Sequence, residues 1–375
     1  MDFDVVIVGA GTAGMAAGYF LSKRGKRVAL IDAYDPPHTE GSHHGETRII
    51  RHAYGEGSHY VSMALRASEL WGELEQEVDR KIFYNTGVLN IGTKDSAFLK
   101  NVITTADTFN LPVEVLSAEE VNNRWPGFKL EKNLVGCFEK TSGVLLSEEA
   151  IRAYRELSLK YGAILLSNAK IEKMIVNDSK VEVRLDGKKI NGNQLLITAG
   201  KGTNHVLSLL GLELPLTPLR KTFSWFQTNE EIYNAAVFPA WTFDDGNQTY
   251  YGFPSIEKSG FKIGRHDGGM PVDPLKSLDK FGQHPADQSD VTDFAEKHFS
   301  SLGPHNIGKV CTYNMTPDGD FIIDRLPNYS NIFVASGFSG HGFKFGSVIG
   351  EILSQMMIDK DTDLDITPFA LSRFV

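Results

Sequence analysis

Apolar residues recur along this chain at three spacings, and each predicts a different element. The first is an unbroken apolar run followed by glycines, as in "DVVIVGAGTAGMAAGYFLSKRGKRVALID" from residue 4 onward. Such runs read as strands buried on both faces. They predict a strand over 4–8, a small-residue helix over 12–24 and a second strand over 27–32. The second spacing is helical. It marks "YVSMALRASELWGELEQEV", a stretch near 96–108, and "SEEAIRAYRELSLKYGAILLS", where Ser147 followed by two glutamates predicts a capped helix leading into a strand. The third is strict alternation, in "GVLNIG", "LVGCFE" and the aromatic-rich segments between 216 and 266, which predicts a second sheet. "VEVRLDGKKINGNQLLITAG" reads as a hairpin and then an apolar strand ending on Ala199 and Gly200. The last segment, "NIFVASGFSGHGFKFGSVIGEILSQMMID", repeats the opening order of strand, glycine turn and helix.

This order implies an α/β protein. A Rossmann-like dinucleotide domain, drawn from 1–85, 144–214 and 311–375, is interleaved with a domain built on a mainly antiparallel sheet with helices, from 86–143 and 215–310. A length of 375 residues suits two domains.

Composition then narrows the function. A net charge of −9 argues against nucleic acid or an anionic membrane as partner. No apolar run reaches the length of a membrane helix, and the N-terminus lacks the basic start of a signal peptide. The 2 cysteines, Cys137 and Cys311, form neither a disulfide framework nor a zinc spacing. A cytoplasmic enzyme without a metal is the expectation. His43 and His44 have no carboxylate or cysteine at ligand spacing, so they read as residues near a cofactor.

Gly9, Gly11 and Gly14 follow a strand, open a helix and meet Asp32 at the end of the next strand. That context makes them a dinucleotide fingerprint: a tight turn, close backbone approach to a pyrophosphate, and an acid for the ribose hydroxyls. The fingerprint alone suits a flavin or a nicotinamide. The second glycine turn, from Gly337 to Gly342, favours the flavin, because a helix start there can stabilise negative charge on a reduced isoalloxazine. Cys311 could then tether FAD through a thioether, or be a small buried hydrophobe.

"GSHHGETRIIRHAYGEG", "YYGFPS", "FKIGRHDGG", "CTYNMTPDGDFIID" and "GFSGHGFKFGS" together resemble the monomeric sarcosine oxidase and N-methyltryptophan oxidase family, colinearly from Asp4 to Phe374. The resemblance implies FAD attached covalently through Cys311. It also implies oxidation of the N-methyl carbon of an amino acid, release of formaldehyde and the demethylated amino acid, and reduction of oxygen to hydrogen peroxide. The small N-methyl amino acid and oxygen are the implied partners, and the implied state is a monomer.

By the same resemblance Arg51 and Lys344 clamp the substrate carboxylate, Arg48 and Lys262 supply positive charge beside the flavin, and His266 lies by the amine. Tyr251 and Tyr313 wall the pocket. Thr47, Ile171, Gly340, His341, Gly342 and Lys344 join His43 and His44 in the cofactor set. Residues four apart in a strand share a face, whereas the family's lysine and histidine serve different sides of the chemistry, so a bend between Lys262 and His266 is implied. Thr242 stands where sarcosine enzymes carry methionine and resembles the N-methyltryptophan enzymes, leaving room for a larger substituent. "GVLLSEEAIRAYRELS" resembles the sarcosine side. Lys201, Gly202 and Thr203 replace the family's small residue and Trp, which implies looser packing near the cofactor. An amine dehydrogenase with another acceptor, and a silent flavin-binding protein, are the competing classes.

Overall fold

The computed structural model describes residues 2–374. Strand Asp2–Val8 lies inside an eight-stranded sheet, parallel to Val28–Ile31 on one side and to Lys188–Ile197 on the other. Alternation along it buries both faces: Val5 and Ile7 join one apolar layer, Val6 and Val8 the opposite one. The first layer is closed by helices Thr12–Lys23, Val61–Val78, Ser147–Lys160 and Gly346–Ile358, with Trp71 and Tyr154 wholly buried among them. Strand Ile332–Ser336 pairs in parallel with the end of Lys188–Ile197, which puts the C-terminal glycine turn beside the N-terminal one.

A nine-stranded sheet forms the second layer, antiparallel except where Ala240–Asp244 runs parallel to Val88–Thr93. One of its faces is apolar: Leu89, Ile91, Phe138, Trp241, Phe243, Phe261 and Ile263 pack against helix Ala286–His298. The other face is different in kind. Register places Asn90 opposite Thr242, Thr242 opposite Tyr251, Tyr251 opposite Gly264, and Lys221 opposite Cys311. Period-two geometry adds Lys262 to this face. A three-stranded sheet of Thr47–Ile50, Gly143–Leu146 and Phe83–Tyr84 lies against it, with Thr47 reached by Lys262.

Three sequence expectations change. Ser147 is the first helical residue rather than the cap, because its hydroxyl donates to the His43 carbonyl at 2.8 Å. The second hairpin strand and the apolar strand after it are one continuous element, Lys188–Ile197, turning at Asp186 and Gly187, both with positive φ. The strand Phe261–Arg265 keeps an unbroken register with its neighbours, so no bend separates Lys262 from His266. Distance along the strand does this instead, at about 3.3 Å per residue. Among the described residues, no helix is long and apolar enough to cross a membrane.

Candidate active site

The dinucleotide fingerprint is built by close approach. A Cβ on Gly9, whose φ is +96°, would meet the Thr198 carbonyl oxygen at 2.4 Å, and one on Gly14 would meet the Gly9 oxygen at 1.9 Å. Gly11 is different: the nearest atom to its Cβ position is His43 Nδ1 at 3.8 Å. Helix Thr12–Lys23 therefore starts on an open side, with no side-chain cap and no acid in its first turn. Those bare N–H groups suit a phosphate. Asp32 accepts from the backbone N–H of Ala10 at 2.7 Å and of Tyr34 at 2.9 Å, which fixes its carboxylate at the strand end. The residues present thus fit an FAD pyrophosphate and ribose.

His43 Nε2 accepts from the His38 N–H at 3.1 Å, and burial pushes its pKa down to about 3. His44 Nδ1 lies 3.3 Å from Glu148. Ile171 opens the strand Ile171–Asn177 and packs on the layer that includes Val6 and Ile31. At the departure from the family's pattern, Lys201 Nζ pairs with Glu40 at 3.0 Å, and Thr203 bonds Ser336 at 2.8 Å.

Cys311, Lys262, Tyr251 and Tyr313 meet on the polar face of the nine-stranded sheet. Lys262 is wholly buried; its Nζ donates to the Gly45 carbonyl at 2.5 Å and to Thr47 Oγ1 at 3.2 Å. It also lies over the rings of Phe223, Trp225 and Phe253, at 4.6, 5.2 and 4.8 Å from their centroids. Burial, with Arg48 nearby, holds its pKa well below the ordinary lysine value. Arg48 donates to the carbonyls of Ser42, His44 and Thr47 and braces the loop that receives Lys262. Burial raises the Cys311 thiol pKa, opposed by Arg48, Lys262 and Lys221. His266 Nδ1 stands 3.5 Å from the Tyr313 hydroxyl, and burial lowers its pKa to about 4, so the imidazole is neutral at pH 7.

The second cluster comes from the other end of the cofactor half. Lys344 Nζ donates to the Tyr54 hydroxyl at 3.1 Å and the His341 carbonyl at 3.0 Å, and burial lowers its pKa to about 7. His341 Nδ1 lies 2.9 Å from the Tyr54 hydroxyl. Gly340 is needed because a Cβ there would strike the Tyr313 ring at 2.3 Å, which ties this turn to the sheet face. Gly342 precedes the short helix Phe343–Phe345 and carries no side-chain cap.

Arg51 is buried, and its Nη2 already binds a carboxylate: Glu56, at 2.5 and 2.7 Å. Arg51 Nη1 is buried and unpartnered. Burial favours the neutral form of Glu56, but Arg51, His341, Lys344 and His266 overcome it and hold the pKa near 2. Four cationic or titratable groups thus converge on one anion position.

Sequence reasoning missed Glu56, Asn90, Glu139 and Lys221. Asn90 accepts from the Thr242 hydroxyl at 2.8 Å, deep in the sheet. Glu139, wholly buried, accepts from the backbone of His52 and Ala53 and lies 2.6 Å from His52 Nδ1, which holds the segment carrying Arg51. The signal for Asn90, Glu139 and Lys221 was polarity on the inward parity of a strand.

The family described as DAO, FAD dependent oxidoreductase, matches residues 4–356. Monomeric sarcosine oxidase of Arthrobacter sp. (strain TE1826) is 44% identical, with 99% of this chain and 96% of that protein covered. N-methyl-L-tryptophan oxidase of Escherichia coli O9:H4 (strain HS) is 41% identical over the whole of both chains, 100% of each. Among solved structures, the fold is similar to NikD, an unusual amino acid oxidase essential for nikkomycin biosynthesis (TM-score 0.86, 20% identity, 98% of this chain and 97% of that one). It is also similar to L-proline dehydrogenase from P. horikoshii (TM-score 0.87, 21% identity, 99% and 97% covered). At such identities these two likenesses speak to the fold alone.

Proposed function

The chain belongs to the FAD dependent oxidoreductase family, and from that premise we propose that it is an oxidase of N-methyl amino acids, sarcosine or N-methyl-L-tryptophan among them. The reaction consumes the secondary amine, oxygen and water, and yields the primary amino acid, formaldehyde and hydrogen peroxide. The observation that carries this reading is the pairing of two sites. Arg51, holding the internal carboxylate of Glu56, and the buried Lys344 stand beside a sheet face bearing His266, Tyr313, Lys262 and Cys311.

Bound FAD supplies the two-electron acceptor for the N-methyl C–H bond and hands the electrons on to oxygen. The chain's own residues do the rest. The substrate carboxylate replaces Glu56 on Arg51 and engages Lys344, a fork and a point charge suited to it. Neutral His266 hydrogen-bonds the amine and favours its unprotonated form. Tyr251 and Tyr313, their hydroxyls kept protonated by burial, close the pocket and exclude water. Among the described residues, no ion pair joins Lys262 Nζ to a carboxylate, and its bonds go to Gly45 and Thr47. An incompletely compensated buried cation stabilises negative charge that develops beside it, which is what oxygen reduction requires. Cys311 tethers the cofactor covalently, with Arg48, Lys262 and Lys221 favouring its thiolate. We assign 1–85, 144–214 and 311–375 to cofactor binding, and 86–143 and 215–310 to the substrate. Thr242, fixed by Asn90, sets the space for the substrate side chain.

The test is peroxide release by the purified yellow protein with sarcosine and with N-methyl-L-tryptophan, after acid precipitation. Peroxide, with colour kept on the polypeptide, is expected. Flavin bleached by substrate without peroxide would make the protein a dehydrogenase with another acceptor, and colour left in the supernatant would remove the Cys311 tether.

A further inference from the structure

Strand Thr217–Thr228 carries a buried lysine that the reading above uses only as background charge. Lys221 lies on the site face directly opposite Cys311 and is 4% exposed. Its Nζ donates to three successive carbonyls: His266 at 2.9 Å, Asp267 at 2.5 Å and Gly268 at 3.0 Å. An ammonium has three N–H donors, and all three are used. A buried charge is tolerated on that condition. The same ammonium lies 5.2 Å from the centroid of the Tyr313 ring. Burial lowers its pKa to about 8, against Cys311 and Asp267, so at neutral pH the third donor is in place.

Among the described residues, Lys221 supplies the hydrogen bonds that the His266, Asp267 and Gly268 carbonyls accept. Beyond Arg265 the chain leaves the strand and turns through Gly268 and Gly269, whose φ values are +66° and +108°. A Cβ on Gly269 would come within 2.9 Å of Lys221 Cδ, so the glycine makes room for the lysine stem. His266 is held from two sides. Its N–H donates to the Thr249 carbonyl at 2.7 Å, and its own carbonyl accepts from Lys221. Asp267 adds a bond from the Thr249 N–H at 2.8 Å and a pair with Arg265. The imidazole between these anchors faces Tyr313.

We propose that Lys221 is a positioning residue for His266: its ammonium clamps the turn at 266–268 and so sets the imidazole against Tyr313 and the substrate amine. The proposal rests on the role given to His266 above. Removing the ammonium orphans three carbonyls at once, and a turn containing two glycines rotates to find water. The imidazole moves with it, while the carboxylate clamp, built on other segments, stays where it is.

The test uses the full-length flavinylated protein as K221M and K221Q, with H266A alongside. Two quantities are measured: the anaerobic rate of flavin bleaching by substrate, and the Kd of a carboxylate that lacks an amine, read from the flavin spectrum. K221M is expected to slow bleaching about 10- to 100-fold, the scale of a misplaced catalytic group, with the carboxylate Kd unchanged. K221Q, which keeps two N–H donors, is expected to fall between K221M and the wild type. If K221M does not fold, K221Q alone decides. Bleaching at the wild-type rate in the lysine variants, with H266A slow, overturns the proposal. So does a carboxylate Kd that worsens as much as the rate, since that means general loosening. Wild-type bleaching in H266A removes the role of His266 itself, and the proposal falls with it.

Discussion

On the proposed reading Glu56 occupies the position of the substrate carboxylate on Arg51, so replacing it by glutamine is expected to tighten substrate binding rather than weaken it. The magnitude follows from the structure. A carboxyl held near 2 instead of 4.5 corresponds to about 3 kcal/mol in favour of its charged form. At neutral pH, where His266 and His341 are uncharged, that attraction comes from Arg51, with Lys344 adding to it in its charged form, and a bound substrate carboxylate recovers most of it. What the substrate must supply is release of Glu56, whose side chain is already 28% exposed and is hydrated on leaving. A net cost of about 1–2 kcal/mol remains, or roughly 5- to 30-fold in affinity. In E56Q the Kd of an amine-free carboxylate and the KM of the substrate should fall by that factor, with kcat nearly unchanged.

The unliganded variant should also melt lower, because Arg51 is left buried and unpaired, and added carboxylate should restore it. Glu56 is a depressed acid, so its contribution to wild-type stability is present above about 4.5 and lost as pH falls toward 2. E56Q should lack that acid limb. Flavin-perturbation titration and thermal melts with and without the carboxylate read both effects. An unchanged or higher Kd in fully flavinylated E56Q would refute the idea that Glu56 competes with substrate.

Lys344, with its pKa near 7, should make amine-free carboxylates bind more weakly as pH rises through about 7; K344M should abolish that dependence and weaken binding about 30-fold or more in a titration followed by flavin absorbance. Because the folded state binds fewer protons than the unfolded state between about 7 and 10.5, this lysine also makes stability rise with pH across that window, a slope that melts of K344M should lose. K262M should leave anaerobic bleaching by substrate intact and slow reoxidation by air about 10²- to 10³-fold in stopped flow. C311S should bind FAD yet release the yellow colour on acid precipitation. T242M orphans Asn90 and fills the pocket, so the ratio of kcat/KM for sarcosine over N-methyl-L-tryptophan should rise, which peroxide assays on both substrates measure.

Part of this was legible because the signals are local. The glycine fingerprint, Asp32 and the helical and alternating periods lie within a few residues of the atoms they organise, and the elements appear where those patterns placed them. Alternation in "GVLNIG" and in the segments between 216 and 266 also predicted a second sheet, and the nine-stranded sheet is there. Ser147 was misread because an N-cap and a first-turn serine look alike until the His43 carbonyl is in place. The bend between Lys262 and His266 was inferred from roles, whereas four strand residues already span enough distance to separate them.

The sequence by itself therefore determined the kind of fold, the dinucleotide fingerprint and the family, because these depend on propensity, period and spacing along the chain. Only the tertiary structure decided which charges meet. Glu139 reaches His52 across 87 residues, Lys221 reaches Gly268 across 47, and Lys262 reaches Gly45 across 217. Each pairing depends on strand register and on which face a side chain takes. A buried charge is held wherever partners from distant segments converge to satisfy it, and no pattern local to either segment encodes that convergence.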